Sequence, residues 1–191
     1  MREVKFTYKT AYCDRVYHVN EEDIKVVLSR LPIEVKHRLR EVHFNDESRG
    51  GHTLGYADQR RRSVAICALA PRVSLTRFLV KGQSCAEFGA VKGAQWPELA
   101  VRRYILYDVF LHELGHLQII NERSKSERRK FAHETRAEEF ADYWRRRLWL
   151  EPFDHPDSVH NAPPEFNVAT RTISKALQGS VFKPKSVTQV F

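Results

Sequence analysis

The 191-residue sequence predicts an α+β protein. Strand-like patterns are found only before residue 70, whereas residues 97–150 have the periodicity of two long helices. A hydrophobic fraction of 42% is ordinary for a globular protein, and the chain is long enough to bury a proper core. We expect one domain over residues 1–150 and an irregular C-terminal extension over residues 151–191, where several prolines interrupt regular structure.

The N-terminal elements can be assigned in order. Loose alternation over residues 4–8 and 16–19 predicts one or two strands. A helix is expected after Asn20, because asparagine caps helix N-termini and three acidic residues follow it in the first turn. Pro32 interrupts this helix and suits the first turn of a second one that ends near Arg40.

Three further strands are predicted before the long helices. They cover residues 41–46, 50–57 and 63–69, and the last is the clearest because it is continuously apolar and is followed by Pro71. We expect loops over residues 75–96, which contain three glycines. Pro97 then suits the first turn of the first long helix.

The most informative motif is the H-E-x-x-H sequence His112-Glu113-Leu114-Gly115-His116 on that helix. Residues four apart on an α-helix lie about 40° apart around its axis, so both imidazoles can bind one Zn²⁺. Glu113 is placed to act as the general base on an activated water. Apolar residues flank the motif on both sides, and buried imidazoles need partners of the kind that a metal supplies.

A third zinc ligand is expected from the second long helix, residues 127–150. Ala137, Ala141 and their apolar neighbours form a narrow stripe that allows close approach to the first helix. Glu134 lies just before this stripe and is the favoured ligand. Glu138, one turn further on, and His133 remain alternatives.

The motif and the following segment Glu134-Thr135-Arg136-Ala137-Glu138-Glu139-Phe140-Ala141 resemble the gluzincin metallopeptidases, and among them the ImmA/IrrE-type and minimal gluzincin domains. The resemblance covers roughly residues 40–150 and implies that Glu134 completes the zinc site. It also implies a zincin-like fold: a small, mostly antiparallel sheet packed on the two ligand-bearing helices, with an edge strand that binds an extended peptide. Glu138 departs from the family pattern, because an Asn or Asp commonly stands there. SprT-like proteases match less well, since only His133 could supply their third histidine.

The resemblance and the motif together suggest a mechanism in which zinc activates water and Glu113 transfers its proton. A second electrophile for the developing oxyanion is expected near the second motif. Tyr143 is the first candidate for this role and His133 the next.

Composition limits the compartment and the partners. We expect no membrane segment, because no apolar run is long enough to cross a bilayer and the N-terminus lacks the apolar core of a signal peptide. Three widely spaced cysteines do not form a disulfide framework, which favours a reducing cytoplasm. The net charge of +8, with arginine-rich clusters at residues 60–62, 128–130 and 145–147, is compatible with binding of nucleic acid.

We therefore expect a cytoplasmic zinc metalloendopeptidase that acts on a protein or peptide substrate. One alternative is a regulatory or nucleic-acid-associated protein that keeps the zinc fold but hydrolyses little. Another is a zinc hydrolase that acts on a non-protein amide, because the motif specifies activated water and not its target.

Overall fold

A computed structural model describes residues 3–12, 14–48, 51–119, 126–164 and 166. The chain is α+β, as predicted, and its strands form one four-stranded open sheet. Strands β1 (Lys5–Tyr8), β2 (Glu41–Asn45), β3 (Gly55–Asp58) and β4 (Ser63–Cys67) lie in the order β1-β2-β4-β3. All five residues of β4 are buried, so the most apolar predicted strand is a central one.

The prediction of a mostly antiparallel sheet is wrong, because two of the three strand pairings are parallel. Helices α1 (Glu21–Arg30) and α2 (Ile33–Lys36) connect β1 to β2 as a crossover, which returns the chain in its original direction. Only β3 is antiparallel to its neighbour. It reverses into β4 at a turn in which the carboxylate of Asp58 accepts the N–H groups of Arg60 and Arg61.

The beginning of α1 follows the sequence closely. The Asn20 side chain accepts the N–H of Asp23, and the Asp23 carboxylate accepts the N–H of Asn20, which together make a capping box. Pro32 is the N-cap residue of α2. The second N-terminal strand is reduced to one isolated bridge between Val16 and Leu69.

The first long helix is continuous but not uniform. Helix α3 (Glu98–Tyr104) passes into a π-helical segment (Ile105–Val109), and α4 (Phe110–Gln118) carries the H-E-x-x-H motif. Helix α5 (Glu127–Leu150) has the predicted length. Helix α4 packs on β3, β4 and α5, so the motif lies between the sheet and α5.

Part of the segment that follows α5 packs on the helices of the domain. A 3₁₀ turn (Ser158–His160) contacts α1 and α3, and Val159 in this turn is completely buried. Arg102 of α3 binds the carboxylates of both Asp23 and Asp157, which joins this turn to α1. Residues 170–177, for which the sequence predicts a short helix, fall outside the described residues.

The loops expected over residues 75–96 contain only two short 3₁₀ turns (Thr76–Phe78 and Cys85–Phe88). In the described part of the chain, no helix is both long and apolar enough to cross a membrane.

Candidate metal centre

Three predicted ligands converge at one point between α4 and α5. The Nε2 atoms of His112 and His116 are 3.0 Å apart. Glu134 Oε2 lies 3.3 Å from His112 Nε2 and 3.5 Å from His116 Nε2. Within the described ranges, this is the one group of three metal-ligand side chains whose ligand atoms lie so close together.

These separations suit a tetrahedral metal. Zinc binds imidazole nitrogen and carboxylate oxygen at about 2.0–2.2 Å, and a tetrahedron with such arms has edges of about 3.3–3.5 Å. The three observed distances of 3.0, 3.3 and 3.5 Å are close to these edges. Three protein ligands also leave the fourth position of a tetrahedron open, which is the arrangement of catalytic rather than structural zinc sites.

Both imidazoles are in the protonation state that a metal requires. Burial lowers the pKa of His112 and of His116 below the ordinary value for histidine, and their mutual repulsion lowers that of His116 further. The Glu134 carboxylate opposes this effect at both residues. The neutral imidazoles therefore offer lone pairs to a cation at neutral pH.

The close approach of the two helices depends on Gly115, inside the motif. A Cβ at this position would lie 3.2 Å from Ala137 Cα and 3.1 Å from Phe140 Cδ1. Since Glu134 precedes Ala137 by three residues, it lies on the same side of α5 and is brought to the histidines by this contact. The small residues Gly115 and Ala137 therefore set the spacing between Glu134 and the two histidines.

Glu113 lies on the sheet side of α4 and is 8% exposed. Burial and the charge of Glu134 raise its pKa to about 8, while a hydrogen bond from the backbone of Ala57 acts in the opposite direction. A Cβ at Gly55 would meet the Ala65 carbonyl at 2.8 Å and Glu113 Cγ at 3.4 Å. The absence of a side chain at Gly55 therefore allows α4 to pack directly on β3.

Strand β3 forms one wall of an open cleft of about 410 Å³ at the predicted metal ligands, and Gln59 and Tyr56 also line it. Because β3 is the last strand of the sheet, one of its edges has no strand partner among the described residues. Cys67 N–H donates to Leu54 C=O, and this register directs the backbone groups of Gly55 and Ala57 away from β4. The cleft therefore has a strand edge beside the predicted general base.

The remaining candidates lie outside the three-ligand group. Tyr143 follows Glu134 by nine residues, which places it about 180° around α5. Its side chain is exposed, and its hydroxyl accepts a hydrogen bond from Arg147. The structure thus does not bring Tyr143 into the cleft. Glu138 and His133, the alternative third ligands, are likewise absent from the three-ligand group, although His133 is near enough to lower the pKa of His116.

A buried ion-pair network joins α5 to the π-helical segment, and sequence reasoning missed it. Arg145 of α5 is 0% exposed and binds Asp108 of the π-helical segment. Its guanidinium also lies 2.5 Å from Asp142 and 3.6 Å from Glu87. Gln83 donates a second hydrogen bond to Asp108 at 2.6 Å. This network joins α5, the π-helical segment and the loop before α3.

A signal for Arg145 was present in the sequence. Ala137, Ala141 and Arg145 follow one another at steps of four, so Arg145 continues the apolar stripe of α5. Because Arg146 and Arg147 follow it directly, Arg145 also belongs to the basic cluster at residues 145–147, which predicts an exposed side chain. The neighbouring Arg146 and Arg147 are indeed partly exposed, and they pair with Asp142 and Glu151.

No protein-family model, curated protein or solved structure matches this chain.

Proposed function

We propose that this protein is a zinc-dependent peptide hydrolase. The observation that carries the proposal is the convergence of His112, His116 and Glu134 at tetrahedral spacing, with Glu113 adjacent and an unpaired strand edge along the same cleft. His112, His116 and Glu134 would hold the zinc ion. When bound, zinc would lower the pKa of a water molecule from 15.7 to about 7 and polarise a carbonyl.

The chain's own residues account for the other requirements of hydrolysis. The positive charge of bound zinc would lower the pKa of Glu113 again and so keep its carboxylate ionised. Glu113 would then accept the proton of the attacking water and deliver it to the leaving amine. Its contact with the Ala57 backbone fixes the carboxylate on the sheet side of the ligands. An extended peptide laid along β3 would pair with the outward backbone groups of Gly55 and with the outward C=O of Ala57, whose N–H binds Glu113. This pairing would hold the scissile carbonyl of the peptide beside Glu113.

The open shape of the cleft favours a peptide over a small amide. The cleft lies along a strand edge and is lined largely by polar groups, whereas sites for small molecules are mostly enclosed and apolar.

Metal content tests the ligand set. We expect about one zinc ion per purified chain by elemental analysis, and loss of that zinc in His116→Ala and Glu134→Gln. The matched controls His133→Ala and Glu138→Gln remove equivalent groups from neighbouring positions on α5 and should retain the metal. Zinc loss in either control, or no zinc in wild type after loading with zinc, would contradict the proposed site.

Hydrolysis is tested separately with Glu113→Gln. This variant should bind zinc as wild type does but lose cleavage of a pool of fluorogenic peptides by at least about a hundredfold, since a positioned general base contributes roughly that much. Retained cleavage would remove Glu113 from the mechanism. Zinc binding without cleavage of any peptide by wild type would instead favour the non-hydrolytic alternative.

A further inference from the structure

A second concave surface lies at β1, the edge of the sheet opposite to the cleft. It is a groove of about 1230 Å³ between β1, α1 and α2, and we call it the basic groove. We propose that the basic groove binds an extended segment of another protein in which apolar and acidic residues alternate. This proposal is independent of the proposed hydrolysis, because none of the metal ligands lines the groove.

The strand β1 offers unpaired backbone groups to such a segment. Lys5 N–H donates to Arg40 C=O at 2.9 Å, and the parallel register directs the backbone groups of Lys5 and Thr7 toward β2. The backbone groups of Phe6 and Tyr8 therefore point away from the sheet. Within the described ranges these outward groups have no backbone partner. An added strand would satisfy them.

The floor of the basic groove is apolar. Phe6, Leu28 and Leu39 line it, and Ile33 at its side is an exposed aliphatic residue. Because side chains alternate along a strand, every second residue of a segment paired with β1 would face this floor. Apolar residues at those positions would bury surface that is now in contact with water.

The rim of the groove is positively charged and is not neutralised. In the described part of the chain, no carboxylate lies within ion-pair distance of Lys36, Arg40 or Arg62. By contrast, Lys25 binds two acidic side chains of its own helix. Glu3 is the single acidic residue among those that line the groove. Acidic side chains in the bound segment would complement this rim.

The size of the groove and the charge of the chain's own C-terminus favour a partner peptide. Small-molecule sites usually measure about 300–1,000 Å³, and the basic groove exceeds that range. Residues 167–191 contain four basic side chains and no acidic one, so the rim would repel them. An extended segment of another protein is long enough to fill the groove, and its acidic residues would be attracted to the rim.

Binding can be measured by fluorescence anisotropy with the full chain and a labelled peptide in which glutamate and valine alternate. Lys36→Glu with Arg40→Glu should raise the Kd about tenfold or more, and added salt should weaken binding to wild type. The matched control Lys81→Glu with Lys92→Glu makes the same change in net charge at exposed positions outside the groove. It should change the Kd less than about twofold. A peptide in which lysine and valine alternate should not bind.

Amide hydrogen exchange gives a second readout. The bound peptide should slow exchange at Phe6 and Tyr8, whereas Lys5 and Thr7 are already protected by β2. Equal weakening in both double variants, or no new protection at Phe6 and Tyr8, would overturn the proposal. The same holds if wild type sediments as a dimer that Lys36→Glu with Arg40→Glu dissociates, because a second copy would then be the occupant.

Discussion

Replacing Arg145 tests whether the buried ion-pair network holds the fold together. Arg145→Met keeps most of the volume of the side chain but removes its charge. Arg146→Met is the matched control, because the two arginines are adjacent on α5 and both bind Asp142. They differ in burial: the Arg145 side chain is 0% exposed and the Arg146 side chain is 44% exposed.

The expected cost follows from this difference. Removing Arg145 leaves Asp108 and Glu87, which are largely buried, without their cation, whereas Asp142 keeps its ion pair with Arg146. Breaking a buried ion pair by removing one partner costs about 3–5 kcal/mol. An exposed pair such as that of Arg146 contributes about 0.2–1 kcal/mol. We therefore expect a difference of at least about 2 kcal/mol between the two variants, which follows from these two ranges.

Urea unfolding followed by circular dichroism measures this difference in free energy, and thermal unfolding gives the corresponding shift in Tm. In a chain of this size, 1 kcal/mol corresponds to about 2–4 °C in Tm, so Arg145→Met should melt roughly 6–20 °C below wild type if the transition is two-state. Arg145→Lys keeps the charge but cannot reach all three carboxylates, so it should lie between wild type and Arg145→Met. Equal destabilisation by Arg145→Met and Arg146→Met would refute the reasoning, because it would show that burial of the pair has no energetic weight.

Two further predictions concern the helix contact and acid stability. Gly115→Ala should weaken zinc binding about tenfold or more, because the added Cβ would push α5 and Glu134 away from the histidines. An unchanged Kd for zinc in a chelator competition assay would contradict this prediction. The free energy of unfolding of Gly115→Ala should change little, since a gain of about 1 kcal/mol in helix propensity offsets part of the destabilisation from the tighter helix contact. Burial acts to raise the pKa of Asp23, but hydrogen bonds from His160 and the Asn20 backbone, with the charge of Arg102, lower it below 3.8. The stabilisation from Asp23 is therefore present above about pH 4 and is lost as the pH falls through the lowered pKa. The free energy of unfolding of Asp23→Asn should consequently fall less than that of wild type between pH 5 and pH 2, roughly the range over which such a carboxylate titrates. Identical pH profiles for the two proteins would contradict this prediction.

The helices were predictable because their signals are local. Asn20 has its acidic first turn beside it, and α5 begins and ends where its periodicity does. The convergence of His112, His116 and Glu134 was also predictable, since it needs only helix spacing and a stripe of small residues. The metal itself stays a prediction.

The direction of the strands was not predictable from the residues, because strand patterns encode burial and not the partner across the sheet. We took a mostly antiparallel sheet from the family resemblance, whereas the crossover through α1 and α2 makes β1 and β2 parallel. The burial of Arg145 depends on Asp108 and Glu87, which lie far from it in sequence. The position of Arg145 on the stripe of Ala137 and Ala141 distinguishes it from its exposed neighbours, but this local pattern does not identify the carboxylates that it binds.

The π-helical segment before the motif has a consequence for how the protein can be altered. A π-helical turn accommodates one residue more than an α-helical turn, so the faces of α3 and α4 are offset by about 100° relative to an uninterrupted helix. This offset lets α3 face the turn at residues 158–160 while α4 faces β3 and α5. Deleting one residue from Ile105–Val109 would restore an ordinary helix and rotate the motif relative to α3. The length of this segment, as well as the identity of its residues, therefore determines where the histidines point.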